Sequence, residues 1–159
     1  MTSALGKAEI AARIPHSGPM CLLDRVLSWN SETIVCEADN HRNPDHPLAR
    51  EGALDTAAAI EYAAQAMAVH GALICETSVV ETDALISKDE RSKMGYLASV
   101  RDVVCTVAFL HKLAAPLRIE ATRLVGEETR VLYEFSVTAG EQVCAQGRAA
   151  VVIDAGINL

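Results

Sequence analysis

The stretch Asp55 to Leu73, DTAAAIEYAAQAMAVHGAL, decides how the rest of the chain is read. Alanine and aliphatic residues fill almost every position on every side, which is the pattern of a helix buried all round. Asp55 and Thr56 stand at its start, where either side chain can accept from the orphaned N–H groups of a first turn, and the helix is expected to end near Gly71. Three polar residues interrupt the apolar run: Glu61, Gln65 and His70. Burying an unpaired carboxylate costs on the order of several kcal/mol, so Glu61 needs a reason to be there.

Upstream, residues 1–13 read as a short helical or frayed lead-in, and Pro15, Gly18 and Pro19 impose turns before an apolar run. From Val26 the pattern is extended through Trp29, with a turn at Asn30 and Ser31 and the β-branched Thr33-Ile34-Val35, which predicts a hairpin. Asn40 to Leu54, NHRNPDHPLAREGAL, has no apolar period and reads as a loop delivering the chain to the helix. Downstream, Glu76 to Lys93 is charge-dense and reads as a solvated surface excursion.

Four β-rich runs follow: GYLASVRDVVCTVAFL, LRIEATRLV, TRVLYEFSVTA and QVCAQGRAAVVI. In the third, Val131, Tyr133, Phe135 and Val137 alternate with Leu132, Glu134, Ser136 and Thr138, the signature of a half-buried strand. Turns this short impose antiparallel pairing. The expected fold is α+β: a hairpin, one long central helix, and an antiparallel meander curved around that helix, all in a single domain over residues 1–159.

Composition narrows the function. The 159 residues are 50% apolar but only 4% aromatic, with a net charge of −7, which leaves neither a base-stacking surface nor a basic stripe for nucleic acid. Five scattered cysteines without CxxC spacing read as small hydrophobes in a reducing compartment. No uninterrupted secretory run stands at the N-terminus, and Glu61 and Gln65 break the long helix below the roughly 18 apolar residues of a membrane span; a cytoplasmic protein away from membranes is expected. Nucleophilic catalysis lacks a GxSxG elbow. His41, His46, Asp39 and Asp45 match no metal spacing, so neither metal nor cofactor is expected.

Two stretches carry a resemblance. Ile14-Pro15-His16 followed by Pro19-Met20-Cys21-Leu22-Leu23-Asp24-Arg25-Val26 resembles the opening motif of the FabZ/FabA group of 3-hydroxyacyl-acyl-carrier-protein dehydratases, of hotdog fold. Ile60-Glu61-Tyr62-Ala63-Ala64-Gln65-Ala66 resembles that group's central helix. The order of elements agrees from residue 14 to about residue 154, and the chain is most similar to the divergent dehydratase-like proteins of aryl polyene pathways.

The resemblance implies a site shared between subunits, in which a loop histidine takes the α-proton of a thioester and a helix carboxylate protonates the leaving β-hydroxyl. Carried over, the acid falls on Glu61, whose apolar surroundings favour the protonated form, with Gln65 one turn further along the same face. The base falls on His46, with His41 as the fallback; His16 is assigned a structural role, and His70 and His111 none. N–H groups near Thr56 and Ala57 would face the thioester oxygen, and the strand from Gly95 and Tyr96 would line an acyl tunnel.

The chain departs from the group's pattern twice: Asp45-His46-Pro47-Leu48 replaces Gly-His-Phe-Pro, and Asp55-Thr56 replaces Pro-Gly at the helix start. The implied activity is dehydration of a 3-hydroxyacyl thioester, borne by acyl carrier protein or CoA, to the trans-2-enoyl product. A hotdog thioesterase, or a catalytically silent subunit that stabilises an active dehydratase partner, remain open. The implied assembly is a homodimer or a heterodimer with a related dehydratase.

Overall fold

The computed structural model describes residues 4–81, 94–127 and 129–154. A two-residue strand β1 (Leu5–Gly6) and a single turn of helix α1 (Lys7–Ala11) lead through a 3₁₀ turn at Gly18–Met20 to β2 (Arg25–Trp29) and β3 (Thr33–Ala38). Then come the central helix α2 (Ala58–Glu81) and four long strands: β4 (Met94–Cys105), β5 (Leu117–Gly126), β6 (Arg130–Ala139) and β7 (Gln142–Asp154). All seven strands form one sheet in the order β1-β2-β3-β5-β6-β7-β4, with every neighbour antiparallel.

The hairpin turns where the sequence places it. Asn30 Oδ1 accepts from the backbone N–H groups of Glu32 and Thr33, both at 2.8 Å, so one side chain closes the turn between β2 and β3. The alternation in β6 also holds: Val131, Tyr133, Phe135 and Val137 are buried against α2. The meander is confined to β5, β6 and β7, because β5 pairs with β3 and β4 crosses to the far edge beside β7. A long connection between α2 and β4 frees that strand to join either edge, and no turn signal dictates which.

The helix corrects three sequence expectations. It runs past Gly71 to Glu81 instead of ending there. Gly71 faces outward with nothing within 4 Å of a notional Cβ, while buried Leu73 keeps the following turn on the core and Thr77 Oγ1 donates back to Leu73 O. The expected loop from Glu76 is therefore helical as far as Glu81, and the charged run 87–93 lies outside the described residues. By length and composition Ala58–Thr77 is also apolar enough to cross a membrane, contrary to the sequence reading. Here the curved sheet covers one side of it, and its buried Gln65 and His70 are hydrogen-bonded within the fold.

Gly147 shows how tightly the far edge is packed. β4 bulges between Arg101 and Val104, with Asp102 at a φ of 53°, and folds over β7. A Cβ at Gly147 would lie 3.0 Å from Val103 Cγ2 and 3.2 Å from Arg101 O, so only glycine fits without movement. β4 leaves the sheet's edge open and apolar: Leu97, Val100 and Val104 are all exposed.

Candidate functional site

The site gathers around the first two turns of α2. Gln65 is fully buried and its amide is saturated by the turn that precedes β2. Its Oε1 accepts from Leu22 N–H at 2.9 Å, and its Nε2 donates to Met20 O at 2.8 Å and to Glu61 Oε1 at 3.3 Å. The i, i+4 spacing places Glu61 directly beside it on the helix. Glu61 is less buried than its apolar flanks imply, because α2 presents one incompletely covered face; its side chain is 35% exposed. His16 Nε2 reaches the same Oε1 at 3.0 Å, from a ring that is 30% exposed. Oε2 of Glu61 has no hydrogen-bond partner among the described residues.

His46 occupies a different setting on the neighbouring helix residue. Its ring is 4% exposed. Leu48 N–H donates to Nδ1 at 3.0 Å, which leaves the proton on Nε2, and Nε2 donates to Tyr62 Oη at 2.9 Å. Tyr62 Oη passes its own hydrogen to Asn40 Oδ1, and Asn40 Nδ2 donates to Leu22 O at 3.0 Å. Burial, and next the nearby His41, lower the pKa of His46 and keep it neutral. A neutral imidazole with its one lone pair already taken offers no free base in this chain. The sequence could not show this, because the partner that claims Nε2 is Tyr62, which the helix pattern marks only as apolar.

The other candidates are also held inside the fold. His41 is fully buried and its Nε2 donates to Leu113 O at 2.8 Å. His70 bridges α2 to the hairpin, with Nε2 donating to Asn30 O at 2.7 Å and Nδ1 accepting from Tyr133 Oη at 2.8 Å. At the helix start, Asp55 Oδ1 takes Ala57 N–H at 2.8 Å, Thr56 N–H goes to Ala108 O at 3.1 Å, and the Thr56 hydroxyl donates to Val107 O. Both N–H groups expected at the thioester oxygen are therefore engaged within the chain. His111 Nδ1 accepts from Leu54 N–H at 3.1 Å, a further stitch in the same place.

Gly95 and Tyr96 lie at the start of β4, opposite Ile153 and Val152. Tyr96 is 53% exposed and shares its row with Val152 and Arg130, on the sheet face turned away from α2; Leu97, in the row of buried Val131 and Val151, is the residue on the helix side. Two cavities of about 340 and 190 Å³ open on strands β4 to β7 and touch neither Glu61 nor His46. Among the described residues no group of His, Cys, Asp and Glu is arranged to hold a metal ion. The five cysteines are free; burial raises the Cys36 thiol to about 12 and Cys144 upward, so neither is a ready thiolate.

A long helix wrapped by a single curved antiparallel sheet, with a carboxylate on the helix and the opening motif folded against it, defines a hotdog-fold protein. Within that class the chain belongs to the ApeP-like family, ApeP dehydratase, whose profile matches residues 8–156. Among solved structures, the chain is similar to the dehydratase heterocomplex ApeI:P from Xenorhabdus doucetiae, with 24% identity, a TM-score of 0.72, and coverage of 94% of this chain and 91% of that one. It is also similar to zebra fish thioesterase superfamily member 2, with 16% identity, a TM-score of 0.57, and coverage of 93% and 95%. The thioesterase HI1161 from Haemophilus influenzae follows the same fold at 10% identity and a TM-score of 0.54, with coverage of 81% and 76%. No curated protein matches the chain by sequence.

Proposed function

We propose that this chain is one subunit of a heteromeric dehydratase that converts a 3-hydroxyacyl thioester, carried by acyl carrier protein or CoA, to the trans-2-enoyl thioester. A base removes the α-proton, the Cα–Cβ double bond forms as the Cβ–O bond breaks, and Glu61 gives its proton to the departing hydroxyl, which leaves as water. The observation that carries this reading is Glu61 itself: a half-exposed carboxylate on a largely buried helix, bonded through one oxygen only and open at the other. Membership of a dehydratase family supports the reaction class.

The base is assigned to the partner subunit, because His46 has both ring nitrogens committed inside its own chain. The exposed apolar side chains of the edge strand β4, Leu97, Val100 and Val104, support burial against another subunit. The heterocomplex formed by the Xenorhabdus doucetiae proteins supports a related, non-identical chain in that place.

The test is product analysis on a 3-hydroxyacyl carrier-protein substrate, with the chain alone and co-purified with a related dehydratase subunit. Enoyl thioester is expected from the complex and not from the chain alone. Equal enoyl formation by the chain alone would rule out the heteromeric requirement, and free acid with free thiol would identify a thioesterase instead.

A further inference from the structure

His16 sits between Pro15 and the turn Gly18–Met20, in a stretch that Gln65 straps to the helix at both Met20 and Leu22. That strap brings the imidazole to Glu61, where Nε2 and Gln65 Nε2 converge on a single carboxyl oxygen, Oε1, at 3.0 and 3.3 Å. A carboxyl oxygen accepts, so His16 Nε2 must carry the hydrogen. The other ring nitrogen, Nδ1, is buried and has no partner. A ring closed off in this way can hold Glu61 but has no route through Nδ1 to pass a proton to solvent.

We propose that His16 is a positioning residue for dehydration, fixing Glu61 through Oε1 so that Oε2 faces the substrate hydroxyl. The inference rests on the assignment of Glu61 as the acid. In the proposed step the proton given to the leaving hydroxyl comes from Oε2, while Oε1 goes on accepting from His16 and Gln65. As that proton moves to the leaving hydroxyl, negative charge appears on the carboxylate, and the hydrogen bonds from His16 and Gln65 become charge-assisted and stronger. Interactions that strengthen only as the proton moves lower the barrier without tightening substrate binding. His16 therefore acts on kcat and leaves KM largely alone.

Two measurements test this in the intact protein. The first is the imidazole nitrogen spectrum: His16 is expected as the Nε2–H tautomer, with its Nε2–H signal moved by Glu61→Gln. A His16 signal indifferent to Glu61→Gln would overturn the pairing, whatever the activity.

The second is kinetics in the active complex. His16→Leu is expected to lower kcat about 10- to 100-fold with KM within about twofold, a loss typical of a misaligned group. His16→Gln, which keeps a side-chain N–H donor, is expected to regain most of the rate, and His16→Leu is expected to add no further loss to Glu61→Gln. Failure of the glutamine rescue, or an equal loss in both backgrounds, would overturn the positioning role while Glu61 still stands as the acid. A fully active Glu61→Gln would instead remove the acid assignment, and the role of His16 with it.

Discussion

Two histidines reach adjacent residues of the same helix, and they do opposite things. His16 meets Glu61 at a half-open surface, where the carboxylate keeps one oxygen free; His46 meets Tyr62 beneath that surface, where both ring nitrogens and the tyrosine hydroxyl have partners. The difference is solvent access combined with valence. A group whose hydrogen bonds are all satisfied inside the fold contributes stability and specificity, whereas a group with one oxygen left over can exchange a proton with a ligand. The family resemblance puts the base at His46, but the local bonding ties both of its ring nitrogens into the framework, whereas Glu61, the proposed acid, keeps one oxygen without a partner.

The sharpest way to break this comparison is to neutralise each side in turn. Glu61→Gln keeps the shape and the bonds to Oε1, and is expected to cut enoyl formation by the active complex about 10²- to 10⁴-fold, the usual range for losing a general acid. Its melting temperature should stay close to wild type, because the residue is half-exposed. Retention of activity in Glu61→Gln would erase the contrast.

Gln65→Leu, by contrast, strands the buried Leu22 N–H and removes the partner of the part-buried Met20 C=O. With one buried group left unsatisfied, urea denaturation should show about 1–3 kcal/mol of lost stability. Tyr62→Phe removes one hydroxyl from the His46 network and should cost about 1–3 kcal/mol by the same measurement, with enoyl formation within about twofold of wild type. A rate loss in Tyr62→Phe comparable to that of Glu61→Gln would restore His46 to the chemistry.

Sequence patterns expose one half of this arrangement better than the other. Glu61 and Gln65 stand out because a polar residue in an alanine-rich helix has few neutral explanations, and the hairpin and the last three strands announce themselves through turns and alternation. The place of β4 does not, since antiparallel pairing with β7 satisfies the same pattern as pairing with β5. Neither does the continuation of α2 beyond Gly71, where an exposed glycine costs only about 1 kcal/mol and the burial of Leu73 outweighs it. His16 is visible as part of the opening motif, but nothing in its spacing says which helix face that motif meets. Tyr62 conceals its hydroxyl in an apolar run, so the capture of His46 becomes legible only when the loop and helix are seen together.

The smallest expected effect is the dependence of stability on pH, and it tests the buried side of the comparison alone. Burial lowers the pKa of His46, His41 and His70 from the ordinary 6.5. In the unfolded chain these rings take up protons as pH falls through about 6.5, whereas in the fold they stay neutral until a lower pH. The unfolded state therefore binds more protons in that window, so the stability the neutral rings contribute is complete above about pH 6.5 and declines as pH drops toward their folded values. Each ring adds a slope of up to about 1.4 kcal/mol per pH unit while only its unfolded form is protonated. Urea unfolding at pH 7.5 and 5.5 should show wild type weakening at the lower pH, and His46→Gln, though less stable at both, should lose less between them. An equal loss in the variant would mean that His46 is not held neutral by the fold, and its separation from the reactive pair would fall.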